Sequence, residues 1–173
     1  MNAPAIDQAA LARVKAAHPG LWFKGAYFAA IVARLELVES PECETMAVDG
    51  KHLFYAPAFV MAQSESKLIG TLAHEADHIG RGHLWRIGGR DLKESNIAAD
   101  LAINADLIRL GFDLPDGALI DWQYHGMSFE EIYAARQQAQ RKQDQAQQNA
   151  SGAQGGQSGG DSGQGGQSGE TGE

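Results

Sequence analysis

The chain has 173 residues, with 14 basic against 22 acidic side chains and a formal charge of −8, which suits one modest domain with a real core plus a tail. That balance repels phosphate backbones and no basic patch interrupts it, so nucleic acid is excluded as a partner. A single cysteine, Cys43, excludes an intramolecular disulfide; no secretory leader precedes the fold, and no apolar run nears the roughly 20 residues that cross a bilayer, so a cytoplasmic location without a membrane partner is expected.

In chain order, Ile6 to Ala17 has helical composition, with Ile6, Ala10, Leu11 and Val14 on one side and Asp7 in the first turn. His18-Pro19-Gly20 reads as its end, with His18 a surface turn residue. Leu21 to Glu39 then reads as a longer helix whose Trp22, Phe23, Tyr27, Phe28, Ile31, Val32, Leu35 and Val38 are mostly core. Its best membrane-like window, Leu21 to Val38, is broken by Lys24, Arg34 and Glu36. Ser40-Pro41-Glu42 is a break. Thr45-Met46-Ala47-Val48 and Lys51-His52-Leu53-Phe54-Tyr55 flank Asp49-Gly50, a two-residue hairpin turn. A strand edge beside a catalytic centre can pair with an extended peptide through main-chain hydrogen bonds. His52 stays outside the candidate site.

After Ala56-Pro57-Ala58-Phe59-Val60, the chain enters the stretch that carries chemistry. Leu68, Ile69, Leu72, Ala76 and Ile79 recur at helical spacing, Ser64 or Ser66 can cap the start, and the Gly80 to Gly82 region supplies a stop. Within this helix lies His74-Glu75-Ala76-Asp77-His78, an H-E-x-x-H signature. Residues four apart share one face, so His74 and His78 can reach a single Zn²⁺. Glu75 stands about 100° round the helix, placed for a water rather than as a ligand. Two ligands and a general base follow from this geometry.

A catalytic zinc needs a third protein ligand and an open fourth position. His83 follows the motif one residue short of the H-E-x-x-H-x-x-G-x-x-H spacing, whose last position is Leu84 here. The better source is a second helix, Ser95 to Ile108, expected to be capped by Ser95 or Asn96 and to pack on the motif helix through Ile97, Leu101, Ile108 and its alanines. Asp100, set among Ala98, Ala99 and Ala102, costs several kcal/mol if buried bare and little if it binds a cation. Glu94 is the fallback, and His83 the other alternative. Asp106, near the helix end, reads as solvated. Asn104, one turn beyond Asp100, can orient a ligand.

Gly111 stops the second helix, Leu114-Pro115-Asp116-Gly117 is a turn, and Ala118 to Met127 reads as a loop in which Tyr124 and His125 are candidate oxyanion donors. Ser128 with Glu131 forms a capping box that opens a last helix at Phe129. From about Gln137 the apolar pattern fades. Ser151 to Glu173 is a glycine-, glutamine- and serine-rich stretch in which Gln154-Gly155-Gly156-Gln157-Ser158-Gly159 recurs as Gln164-Gly165-Gly166-Gln167-Ser168-Gly169. It is expected to be a disordered tail, a solubilising end or a segment for a protein partner.

LAHEADHIGRGH, NIAADLAIN, LPDGALID and SFEEIY together, over roughly Thr45 to Tyr133, resemble the zinc metallopeptidase domain of H-E-x-x-H type that in many bacterial proteins precedes a von Willebrand factor A-like domain. The resemblance implies His74 and His78 as zinc ligands, Glu75 as base, Asp100 as the aspartate of the second helix, and a supporting role for His83, which matches the family's Gly-His. The glycine-rich tail stands where the linker to the A-like domain begins in such relatives, so recruitment through that domain is not carried over.

The expectation is an α+β, mainly helical, zincin-like domain over residues 1–136, with a small hairpin and two core helices holding the metal, followed by a helical extension that fades into the tail over 137–173. Its expected activity is hydrolysis of peptide or protein substrates by a zinc-activated water with Glu75 as base. The rival is a zinc-stabilised peptide-binding module without catalysis.

Overall fold

The computed structural model describes residues 6–152. The chain divides after Arg136. The first unit is mainly helical with one small mixed sheet: α1 (Gln8–Lys24), α2 (Ala26–Val32), β1 (Glu36–Glu39), β2 (Met46–Val48), β3 (His52–Tyr55), α3 (Pro57–Ala62), α4 (Glu65–Gly80), α5 (His83–Arg86), α6 (Leu92–Arg109), a 3₁₀ turn (Trp122–Tyr124) and the opening of α7 (Phe129–Gly152). In the second unit, side chains from Gln138 to Ala150 on α7 are all exposed. Of the expected tail, the part beyond Gly152 lies outside the described residues. No described helix is long and apolar enough to cross a membrane.

The amino-terminal third departs from the sequence expectation. α1 does not end at His18-Pro19-Gly20 but runs through Pro19 to Lys24. Pro19 is exposed, so the carbonyl that loses its partner can be solvated, and proline's fixed φ is itself helical. His18 is not a free surface residue, because its Nε2 lies 3.0 Å from the Ala29 carbonyl and ties α1 to α2. The break falls at Gly25, where a Cβ would come within 2.7 Å of the Phe28 ring. The expected helix over Leu21 to Glu39 is thus three pieces: the end of α1, α2, and a strand. With the helical phase reset at Gly25, Phe28 and Val32 are buried while Trp22, Phe23 and Tyr27 face outward, Phe23 at 93% exposure.

The hairpin appears as expected, with Gly50 at φ +94° in the turn and Met46 facing Tyr55 across the antiparallel β2–β3 pair. Asp49 stabilises the turn by accepting from the Lys51 and His52 amides. β1 adds to β3 in parallel, Leu37 opposite Leu53, giving the order β1-β3-β2. β2 therefore has an edge that pairs with no described strand.

α4 is the hub, packing against α1, α2, α6 and β2. Its buried Leu68, Leu72, Ala73 and Ala76 meet Val14, Leu21, Leu53 and Tyr55 from the other elements in one core. α6 joins this core through Ile103 and Leu107. Of the residues expected to meet the motif helix, Ile108 packs on its core, while Ala98, Leu101 and Ala102 cluster with Phe129 and Ile132 of α7. α6 also begins earlier than its sequence suggests. Asp91 caps it by accepting from the Glu94 amide, and Leu92, Lys93 and Glu94 are ordinary helix formers. Ser95, one of the two expected caps, is fully buried inside the helix, its Oγ without a partner among the described residues.

Candidate metal centre

Ser64 caps α4, accepting from the Lys67 amide, and the apolar face of that helix fixes its roll against the core. The neighbouring stripe then presents His74 and His78, one turn apart with ring centroids 4.6 Å from each other. Asp100 reaches them from α6. Its Oδ1 lies 3.4 Å from His74 Nε2 and 3.2 Å from His78 Nε2, and the two Nε2 atoms are 2.9 Å apart. Among the described residues these three form the cluster able to hold a metal ion.

The alternatives for the third position point elsewhere. Glu94 is committed to Arg136, 3.0 Å from its Nε and 3.0 Å from its Nη2. His83 is buried against the Phe129 ring and approaches His78 from the far side, Nδ1 to Nδ1 at 3.3 Å.

The outer faces of both imidazoles are occupied, and this fixes what their inner faces can do. Asn104 uses its amide nitrogen on the Leu119 carbonyl at 2.9 Å, so its Oδ1 must accept from His74 Nδ1–H at 2.8 Å. Burial, the adjoining His78 ring and the Arg81 and Arg86 cations push His83 down to about 4, which leaves it neutral and able to accept from His78 Nδ1–H. His74 thereby carries a proton on its outer nitrogen, and with His83 as acceptor His78 does the same, so that each turns its Nε2 inward.

Two lone pairs and a carboxylate oxygen at 2.9 to 3.4 Å repel one another unless a positive charge sits among them. Ligands about 2.0–2.1 Å from a tetrahedral ion stand roughly 3.4 Å from each other, so the observed separations and donor types fit a small divalent ion. Without metal a proton must serve. Burial opposes a charged His74, but the Asp100 hydrogen bond, the charges of Glu75 and Asp100 and the Asn104 acceptor prevail, holding it up at about 9. Asp100, despite its own burial, is held far below the usual carboxylate range by the two histidines.

Glu75 is 7% exposed. Burial pushes its carboxyl above the usual range, against the pull of His74 and His78. It stands with His74, Asp100 and Thr45 where two clefts meet. One, of about 240 Å³, is walled by Phe59, Leu114, Pro115, Ala118 and Leu119; the other, of about 280 Å³, runs along Met46, Ala47 and Val48 of β2. Tyr124 and His125, the expected oxyanion donors, line neither cleft. Tyr124 packs beside Phe129 and Ile132, while His125 lies 3.5 Å from Asp106 and contacts Arg109.

One structural clamp lies outside the expectations from sequence. Arg81 bonds Asp77 at 2.8 Å, Asp106 at 2.9 Å and the Ala102 carbonyl at 3.2 Å, locking the last turn of α4 to α6. Asp106 is therefore paired rather than simply solvated. The Asp77–Arg81 spacing of four was the available signal; the reach to α6 left none in the local pattern.

An inward His-His-Asp set with a buried glutamate beside it defines a protein able to hold a metal ion where two clefts meet. The family model described as "Putative metallopeptidase domain" matches residues 9–173, and the chain belongs to that family. No curated protein and no solved structure matches the chain.

Proposed function

We propose that residues 1–136 form a zincin-like, zinc-dependent metallopeptidase that cleaves peptide bonds in the cytoplasm. The observation that carries this reading is the approach of three ligand atoms, His74 Nε2, His78 Nε2 and Asp100 Oδ1, within 4.8 Å of one another beside the buried Glu75. His74, His78 and Asp100 would hold the ion. Zinc bound there would polarise the scissile carbonyl and make water a competent nucleophile near neutral pH.

Glu75 has the base role. Its carboxylate would take the proton of the attacking water and deliver it to the leaving amine. The raised affinity of the buried carboxyl for a proton suits both halves of that transfer. Asn104 and His83 keep the imidazole protons on the outer nitrogens, leaving the inner lone pairs free for the ion. The open edge of β2, which lines the second cleft, offers main-chain groups to an extended substrate backbone. The rival reading, a zinc-stabilised binding module, calls for a closed shell with a fourth protein ligand. Among the described residues the converging set stops at three.

The test is Glu75→Gln in the zinc-loaded protein. Peptide hydrolysis should fall by roughly 10²- to 10⁴-fold or more, while zinc stoichiometry stays at the wild-type value. Full activity in the variant would refute the mechanism, and loss of zinc would remove Glu75 from the role of base alone.

A further inference from the structure

The two clefts that meet at Glu75 differ in kind. The β2 side is lined by Met46, Ala47 and Val48 of the strand with Leu84 and the polar Asn96, whereas the other has five apolar residues from α3 and from the segment after α6, beside Thr71, Asn104 and Asp116. That wall is held in place. The Asp113 carbonyl lies so close to Gly70 that a Cβ there would sit 1.9 Å from it. Ser66 Oγ donates to Asp113 at 2.8 Å, Lys67 pairs with Asp116 at 2.7 Å, and Asn104 holds the Leu119 carbonyl at 2.9 Å. α4 and α6 thus fasten both ends of the 113–119 segment, and the cavity exists before any ligand arrives.

From this we infer that the cavity lined by Phe59, Leu114, Pro115, Ala118 and Leu119 is a specificity pocket for a single apolar substrate side chain next to the scissile bond. The inference rests on the metallopeptidase reading and adds the class of residue selected. Adjacency follows from shared walls, since His74, Glu75 and Asp100 close one end of the cavity. Its volume of about 240 Å³ is below the roughly 300–1,000 Å³ of clefts that enclose a whole drug-sized ligand, and is ample for one side chain of leucine or phenylalanine size. Preformed apolar walls make burial of such a side chain favourable without the cost of ordering a loop. Specificity is accordingly concentrated at one position of the substrate, with the β2 side reading backbone.

The experiment titrates the zinc-loaded full chain with two peptide hydroxamates that differ only in carrying leucine or glycine next to the metal-binding group. The leucine compound should bind at least about tenfold more tightly, as expected for burying an isobutyl group. In Leu119→Arg that advantage should shrink to below about threefold at unchanged zinc content; the Leu119 side chain is 42% exposed, and its carbonyl still accepts from Asn104. Equal binding of the two compounds by wild type, or the full advantage surviving in Leu119→Arg, overturns the pocket while leaving the metal centre intact. Binding of neither compound by zinc-loaded wild type overturns the metallopeptidase reading and the pocket with it.

Discussion

Asn104 bonds both His74 of the metal centre and the Leu119 carbonyl of the pocket wall, so its replacement tests the two together. In Asn104→Ala, His74 Nδ1–H loses its 2.8 Å acceptor and the Leu119 carbonyl its 2.9 Å donor. The residue is 3% exposed, so water cannot freely replace either bond. Each broken partnership is expected to cost about 1–3 kcal/mol of folding stability. For the metal the relevant loss is orientation: with Nδ1–H unpinned, His74 can rotate or place its proton on Nε2, and affinity should fall roughly 10- to 100-fold. Asn104→Asp divides the effects, since a carboxylate still accepts from His74 but faces the Leu119 carbonyl without a donor. Zinc titration against a competing chelator should give weak binding for Asn104→Ala and near-native binding for Asn104→Asp, with both variants melting below wild type. Native zinc affinity in Asn104→Ala would refute the assignment of its carbonyl as the group that holds His74.

Two further outcomes follow from the same geometry. Gly70→Ala inserts a methyl against the Asp113 carbonyl in the buried middle of α4; overpacking of about 1–3 kcal/mol or more exceeds the roughly 1 kcal/mol gained in helix propensity. Thermal melts should therefore show a net loss, and an unchanged or raised Tm would mean that the two segments are not in contact. In metal-free protein the His74 pKa of about 9 lies above its ordinary 6.5. This contributes stability that is fully present below pH 6.5 and lost as pH climbs through 9, up to about 3 kcal/mol. Zinc binding near pH 7.5 should accordingly release about one proton from His74, measurable by calorimetry in buffers of different ionisation enthalpy. Zero net release would show that His74 is neutral before the metal arrives.

The legible parts of this molecule are those whose cause is local. The α4 pattern, the Asp49-Gly50 turn and the Ser128–Glu131 capping box each depend on residues within four positions, and each appears where its spacing puts it. The meeting of Asp100 with the two imidazoles was also readable, because a carboxylate among alanines must have a partner and the histidines required one. The stretch from Leu21 to Glu39 was not. Apolar residues run through it without a clean period, and its division depends on Gly25 under the Phe28 and Phe112 rings and on β1 pairing with β3, which lies beyond the hairpin turn. The acceptor for the Asn104 amide is a backbone carbonyl 15 residues away, and no side-chain pattern can announce that. His83 was readable as a companion of the motif, but its position behind His78 depends on the turn at Gly82 and on the Phe129 ring.

α6 shows why a helix without an amphipathic pattern can still carry a site. One side, with Ile103 and Leu107, completes the main core, and another, with Ala98, Leu101 and Ala102, receives Phe129 and Ile132. Apolar contact on two sides erases the usual polar face, and what remains between them is a stripe of Asp100 and Asn104, four apart and turned toward His74. Polar groups in that setting are costly when left bare, as the buried Ser95 Oγ is among the described residues, because a bare one costs as much as several good contacts return. Asn104 is satisfied within the protein by His74 and Leu119. Asp100 is satisfied only by imidazoles that are themselves neutral unless a proton or a cation joins them. Of the Asp100–Asn104 stripe, the Asn104 end is thus complete within the protein, and the end where His74, His78 and Asp100 meet is not; the charge missing there is positive.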